Sequence, residues 1–154
     1  MPIRERMQIF RMGQRIKVKG QAQPNGDFIA VEIKLKEGDE YASIEGVVQA
    51  VDLSRHSLRI CNQELPVPES ADILDVARNA TSLAGLKPGD MIKAKGFYSP
   101  EGKFLPAKIK VKDDCDGDSS ELQGFIQKID RENGMLRVVG INTRVTEATA
   151  IDGF

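Results

Sequence analysis

Tryptophan is missing from this chain, aromatic residues make up only 5% of it, and it holds one histidine and two cysteines. So few aromatics leave little surface on which bases or sugar rings stack. The single histidine, His56, and the distant cysteines Cys61 and Cys115 match no metal-ligand spacing and no disulfide framework. Neither sign of charge dominates: 22 Lys+Arg against 23 Asp+Glu leave −1 overall, which speaks against a dedicated duplex-DNA binder. No apolar run approaches the ~18 residues that span a bilayer. The opening "MPIRERMQIF" has charges but no apolar stretch behind them. The expected compartment is therefore the cytoplasm, with the bacterial envelope as the alternative if a leader has been trimmed. The 154 residues, 40% hydrophobic and 29% charged, suffice for one ordinary domain or two very small ones.

What the chain does have is self-similarity. "IKVKGQAQPNGDFIAVEIKLK" (16–36) is echoed by "IKAKGFYSPEGKFLPAKIKVK" (92–112), and an offset of 76 sets Gly13 on Gly89, Gly20 on Gly96 and Phe28 on Phe104. A second match at an offset of 78 lays "SIEGVVQAVDLSRHSLRIC" (43–61) on "ELQGFIQKIDRENGMLRVV" (121–139). The change of offset falls in the acidic connectors "EGDEYA" and "DDCDGDSS", where an insertion costs little. Residues 42–113 thus read as one complete unit. Residues 1–37 and 120–154 read as its back and front halves, each without a partner in its own neighbourhood.

Within the complete unit, "IEGVVQAVD", "LRI", "LPV", "MIKAKGFYS" and "KFLPAKIKVK" predict strands separated by turns at "LSRHS", "KPGD" and "PEG". In the last strand Leu105, Ala107, Ile109 and Val111 are expected inward, as are Ile29, Val31, Ile33 and Leu35 in the matching strand. Ile73, Ala77, Ala80 and Ala84 fall on one face of a helix expected over 70–86, with Gly85 near its end. Three strands, a helix and two strands is the order of the five-stranded oligonucleotide/oligosaccharide-binding (OB) Greek-key barrel. Gly20, Gly46, Gly96 and Gly124 suit strands that bend to close it. The expected fold is mainly β: a continuous OB-like barrel over 42–113 and a circularly permuted or domain-swapped one from 1–37 plus 120–154. A plain sandwich is the alternative. Residues 1–12, "PIRERMQIF" among them, supply the permuted unit's helix in shortened form, and the halves pair within one chain or in a swapped homodimer.

The stretches "SLAGLKPGDMIKAKG" (82–96) and "YSPEGKF" (98–104), with the lysine-rich strand after them, resemble an uncharacterised bacterial family of small repeated OB-like β-barrel domains. The resemblance covers 43–112 fully and both flanks in part. It implies tandem barrels and, in many members, export. Its motifs are turn glycines and core positions, so it implies no active site.

Candidate chemistry is thin. Lys93, Lys95, Lys108, Lys110 and Lys112 fall on the outward phase of their strands, as do Lys17, Lys19, Lys34 and Lys36, and a lysine-lined face can follow an anionic chain. The plainer reading is lysines facing water on half-exposed strands. Arg59 and Arg137, at matching strand positions, are candidates for gripping an anionic ligand or an acidic segment. "DDCDGDSSE" (113–121) has Asp114, Asp116 and Asp118 at alternate positions, but Ser119 stands where a calcium loop needs glycine. No nucleophile–base pair, metal set or glycine-rich phosphate loop is present, so neither catalysis nor a cofactor is expected. The expected function is a non-catalytic binding or scaffolding module for a protein or small ligand; weak single-stranded nucleic-acid binding is the alternative, and a calcium-linked role a third.

Overall fold

Strands form where β-branched and apolar residues alternate, and turns form where glycine, asparagine or proline interrupts them. The computed structural model describes residues 2–37, 41–113 and 120–154. A short helix α1 (Ile3–Arg6) and a 3-10 turn (Met7–Ile9) precede β1 (Arg15–Ala22) and β2 (Phe28–Leu35). The centre comprises β3 (Ala42–Asp52), β4 (Ser57–Ile60), β5 (Gln63–Pro66), β6 (Asp72–Leu74), β7 (Ala80–Thr81), a 3-10 turn (Leu83–Gly85), β8 (Met91–Tyr98) and β9 (Phe104–Lys112). The last part holds β10 (Ser120–Asp130), β11 (Met135–Val138), β12 (Ile141–Arg144) and β13 (Ala150–Asp152). The architecture is mainly β, as the sequence implies.

The two ends of the chain pair with each other. β1 runs antiparallel to β10, with Ile16 opposite Gly124 and Val18 opposite Leu122. β2 runs parallel to β12 through Phe28 and Thr143, and parallel to β13 through Ile33 and Ile151. With β11 between β10 and β12, the pairings β1–β2–β12–β11–β10–β1 form a closed cycle. The Arg6 guanidinium donates to the Thr146 and Thr149 carbonyls, Arg131 donates to the Phe10 carbonyl, and the Phe10 and Phe154 rings meet edge to face. All of this closes within one chain.

Positions that match in sequence pair alike. Asp72–Leu74 lies parallel to Lys108–Lys110 as Ala150–Asp152 lies parallel to Glu32–Lys34. The 3-10 turn Met7–Ile9 matches Leu83–Gly85. The two sets of strands join where β3 meets β10, with Ile44 opposite Leu122, Ser43 opposite Gln123 and Glu45 opposite Glu121. One difference stands out. Among the described residues β5 pairs only with β4, whereas its counterpart β12 has neighbours on both sides. Pro66 stands where β12 has Arg144, and a proline has no N–H to give to another rung.

Two expectations need correction. Residues 70–86 are not a helix, and of the supposed buried face only Ile73 is buried, while Ala77, Ala80 and Ala84 are exposed. The Asp75 carboxylate accepts from the Ala77 and Asn79 N–H groups, both at 2.9 Å, and Arg78 takes φ +70°. This side-chain turn competes with the helix, and the pairing of Asp72–Leu74 with β9 decides against it. Nor does the inward alternation run unbroken: Val31 is 57% exposed and Leu105 40%. A register shift at Lys19/Gly20 and another at Lys95/Gly96 insert an extra residue, which flips the face of everything on one side. The bend brings the crossing strand onto the glycines. A Cβ on Gly96 would stand 1.9 Å from the Leu105 carbonyl oxygen, and one on Gly20 2.0 Å from that of Ile29. Gly96→Ala is therefore expected to cost about 3–5 kcal/mol, read as a lowered urea midpoint, because a backbone carbonyl cannot step aside as a side chain can.

Candidate anion-binding site

β8 and β9 lie in a register that sets Lys93 opposite Lys110 and Lys95 opposite Lys108. Directly opposed residues of an antiparallel pair share a face, about 5 Å apart at Cβ, and like charges there are destabilising. Four of the lysines singled out from the sequence are thus brought together on one surface. The 75–79 turn adds Arg78. A cavity of about 400 Å³ is lined by Val76, Arg78, Lys93, Lys95, Lys110, Val111, Lys112 and Asp113. Arg78 above all, then burial and the neighbouring lysines Lys95, Lys108 and Lys93, pulls the Lys110 pKa down from the ordinary lysine value.

Carboxylates nearby are engaged elsewhere or stand apart. Glu45 lies opposite Lys93 on β3, but its carboxylate pairs with Lys112. Asp72 lies opposite Lys108 in the parallel β6–β9 register without an ion pair to it. Among the described residues, Lys93, Lys95, Lys108 and Lys110 make no ion pair with a carboxylate. Lys95 instead lies over the Tyr41 ring, 4.9 Å from its centroid, with Arg15 at 4.9 Å from the same centroid. The matching lysines of β1 and β2 are arranged otherwise. Lys17 pairs with Glu121 at 3.3 Å and Lys34 with Glu32 at 3.1 Å, and Glu32 occupies the position that Lys108 has in β9.

Arg59 and Arg137 do not join the lysines. Arg59 is exposed on β4 opposite Glu64, and Arg137 is exposed on β11 opposite Asn142. Arg137 borders a cavity of about 430 Å³ between β5 and the start of β9, whose walls include Ile60, Leu65, Phe104 and Ile141. Asp114, Cys115, Asp116, Asp118 and Ser119 fall outside the described residues. Sequence reasoning passed over Arg78, which the expected helix had absorbed. Its signal was the Asp75–Asn79 pair, two residues that favour turns.

Two weak acids, Cys61 buried and Tyr98 partly buried, lie at the junctions between strand sets. Burial pushes the Cys61 thiol up to about 11 from an ordinary 9.0, with a hydrogen bond from Ser120 acting the other way. Burial likewise pushes the Tyr98 hydroxyl up to about 12 from 10.0, against the Val139 N–H and the charge of Arg15. In each case the folded chain keeps a proton that the unfolded chain has already lost. The stabilisation is therefore whole below the unfolded pKa and is lost as pH rises through the folded one. Stability is expected to fall by about 2 kcal/mol between pH 9 and 11 on account of Cys61, and similarly between pH 10 and 12 on account of Tyr98. Urea midpoints against pH for the wild type, Cys61→Ala and Tyr98→Phe check this: each variant should flatten its own window.

Among the described residues no three His, Cys, Asp or Glu side chains are grouped to hold a metal, and no helix is long and apolar enough to cross a membrane. Residues 4–34 match the model of a family described as Domain of unknown function (DUF5666). No curated protein matches the chain in sequence. Among solved structures, the chain is similar to a fimbrial biogenesis protein, PilY2, from Pseudomonas aeruginosa PAO1. The two are 23% identical, the match covers 50% of this chain and 84% of that one, and the TM-score is 0.39.

Proposed function

We propose that this chain is a non-catalytic binding module that takes an acidic, extended protein segment across the β8–β9 face. The scaffold in this reading is a pair of OB-like barrels, one from 42–113 and one from 1–37 with 120–154. The closed pairing cycle of the chain's two ends and the matched pairings on either side of the β3–β10 junction support it. The observation that carries the function is the lysine cluster. Cross-strand like charges reduce stability, and the matching strands β1 and β2 neutralise theirs with Glu121 and Glu32. The β8–β9 face leaves Lys93 opposite Lys110 and Lys95 opposite Lys108 without an ion pair to a carboxylate among the described residues, as a surface shaped for an external anion does.

Carboxylates are favoured over nucleic acid because exposed stacking surface is scarce: Phe97, 54% exposed, is the one exposed ring on β8 and β9, and a track of stacked bases needs several. The Tyr41 ring already lies against Arg15 and Lys95, and Phe28 and Phe104 are buried. Fluorescence anisotropy with a labelled oligoglutamate peptide and a labelled oligothymidine, each over a salt series, tests the reading. Peptide binding that weakens with salt is expected. Tighter binding of the oligothymidine would move the assignment to single-stranded nucleic acid, and silence from both would remove the anion site.

A further inference from the structure

We propose that a slot beside Ala22 is a second binding site, one that receives the phenol of a tyrosine on a partner protein. The chain itself displays the occupant at the matching place. Tyr98, at the end of β8, donates its hydroxyl to the Phe125 carbonyl at 3.3 Å and accepts from the Val139 N–H at 2.9 Å. Gly124 makes room for it: a Cβ there would stand 2.3 Å from the hydroxyl. Gln127 braces the adjoining turn, accepting from the Gly140 N–H at 2.8 Å.

The same walls stand on the other side of the β3–β10 junction. Offsets of 76 and 78 set Ala22 on Tyr98, Gly46 on Gly124, Val47 on Phe125, Gln49 on Gln127, and Cys61–Asn62 on Val139–Gly140. The turns agree in backbone, with φ of 53° and 57° against 54° and 73°. The brace is repeated, the Gln49 carboxamide oxygen accepting from the Asn62 N–H at 2.8 Å. Only the ring is missing. Where Tyr98 would lie there is Ala22, and a cavity of about 360 Å³ opens among Ala22, Val47, Gln49, Cys61, Asn62 and Ser120. Among the described residues the Cys61 N–H, counterpart of the Val139 donor, has no hydrogen-bond partner. Gly46 keeps the gap that Gly124 keeps for the Tyr98 hydroxyl, with the Ser120 hydroxyl 3.1 Å from where a Cβ would be.

A hydroxyl-bearing ring therefore finds a waiting donor, which an unsubstituted phenyl ring leaves unmet. The site shares no residue with the lysine cluster and does not depend on it. Backbone amide NMR tests it with N-acetyl-tyrosinamide and N-acetyl-phenylalaninamide. The tyrosine compound is expected to shift the Ala22, Cys61 and Asn62 amides, and the phenylalanine compound to do so about tenfold more weakly, the worth of one or two hydrogen bonds. Ala22→Tyr, which supplies the ring from within, should abolish the shifts and raise the thermal midpoint. Ala22→Leu, which fills the mouth without a hydroxyl, should abolish them as well. Equal response to both compounds, shifts that survive in either variant, or no shifts at all would overturn the proposal.

Discussion

Reversing the charge of Lys93 and Lys110 together, Lys93→Glu with Lys110→Glu, is expected to weaken binding of an acidic peptide at least about a hundredfold. Two lost ion pairs of roughly 1.5 kcal/mol each give that factor, and new repulsion adds to it. The single substitution Lys110→Glu separates a binding role from a structural one. Lys110 lies between Lys93 on β8 and Leu74 on β6, so a glutamate there turns a repulsive cross-strand pair into an attractive one. Thermal stability should hold or rise by a few tenths of a kcal/mol while affinity falls. If the lysines served only to keep the strand soluble, stability would respond in the same way and affinity would not move. Lys17→Glu is the control. It breaks the Lys17–Glu121 pair on the matching strand, lowers stability slightly and leaves peptide affinity where it was. Loss of affinity in that control, or affinity unchanged in the double reversal, would remove the β8–β9 face as the site.

How much of this was legible in the sequence differs from element to element. The pairing of β1 with β10 follows from two half-units that have unpaired edges, so complementarity of the ends could be read from the order of the matches alone. The lysine face was legible for a related reason. Lys93 and Lys95 precede the bulge at Gly96, and Lys108 and Lys110 follow the extra residue at Ala107, so all four stay in one phase. Leu105 lies on the other side of that bulge, and the simple alternation put it inside when it is 40% exposed. A one-residue shift is invisible to a two-residue period unless the glycine that permits it is read as a bend. Residues 70–86 misled for the opposite reason. Alanines at helical spacing carry propensity but little apolar area, and a three-residue pairing with β9 together with the Asp75 turn outweighs them. The ion pair that neutralises Lys17 could not be read either, because Glu121 is 104 positions away (121 − 17) and meets it only through the β1–β10 register.

Removing residues 120–154 is expected to unfold residues 2–37 while leaving a folded centre. β1 would lose β10, and β2 would lose both β12 and β13, leaving a lone hairpin that is marginal in water. Met7, Phe10, Ile16, Val18, Phe28 and Ile33 are all fully buried in the intact chain. Each gains roughly 1.5–3 kcal/mol from that burial, and the hairpin alone has nothing to bury them against. The centre keeps its β3–β4–β5 and β8–β9–β6–β7 pairings, with Ile60, Ile92 and Ile109 between them. Hydrogen exchange should therefore find the amides of 15–35 unprotected and those of 91–98 still slow. Adding 120–154 as a separate peptide should restore protection to 15–35, since the contacts that hold the ends are strand pairings and side-chain packing, which do not require a continuous chain. Protected β1–β2 amides in the shortened protein without the peptide would mean that the first 37 residues fold by themselves, and complementarity of the two ends would then not be what holds this half of the molecule together.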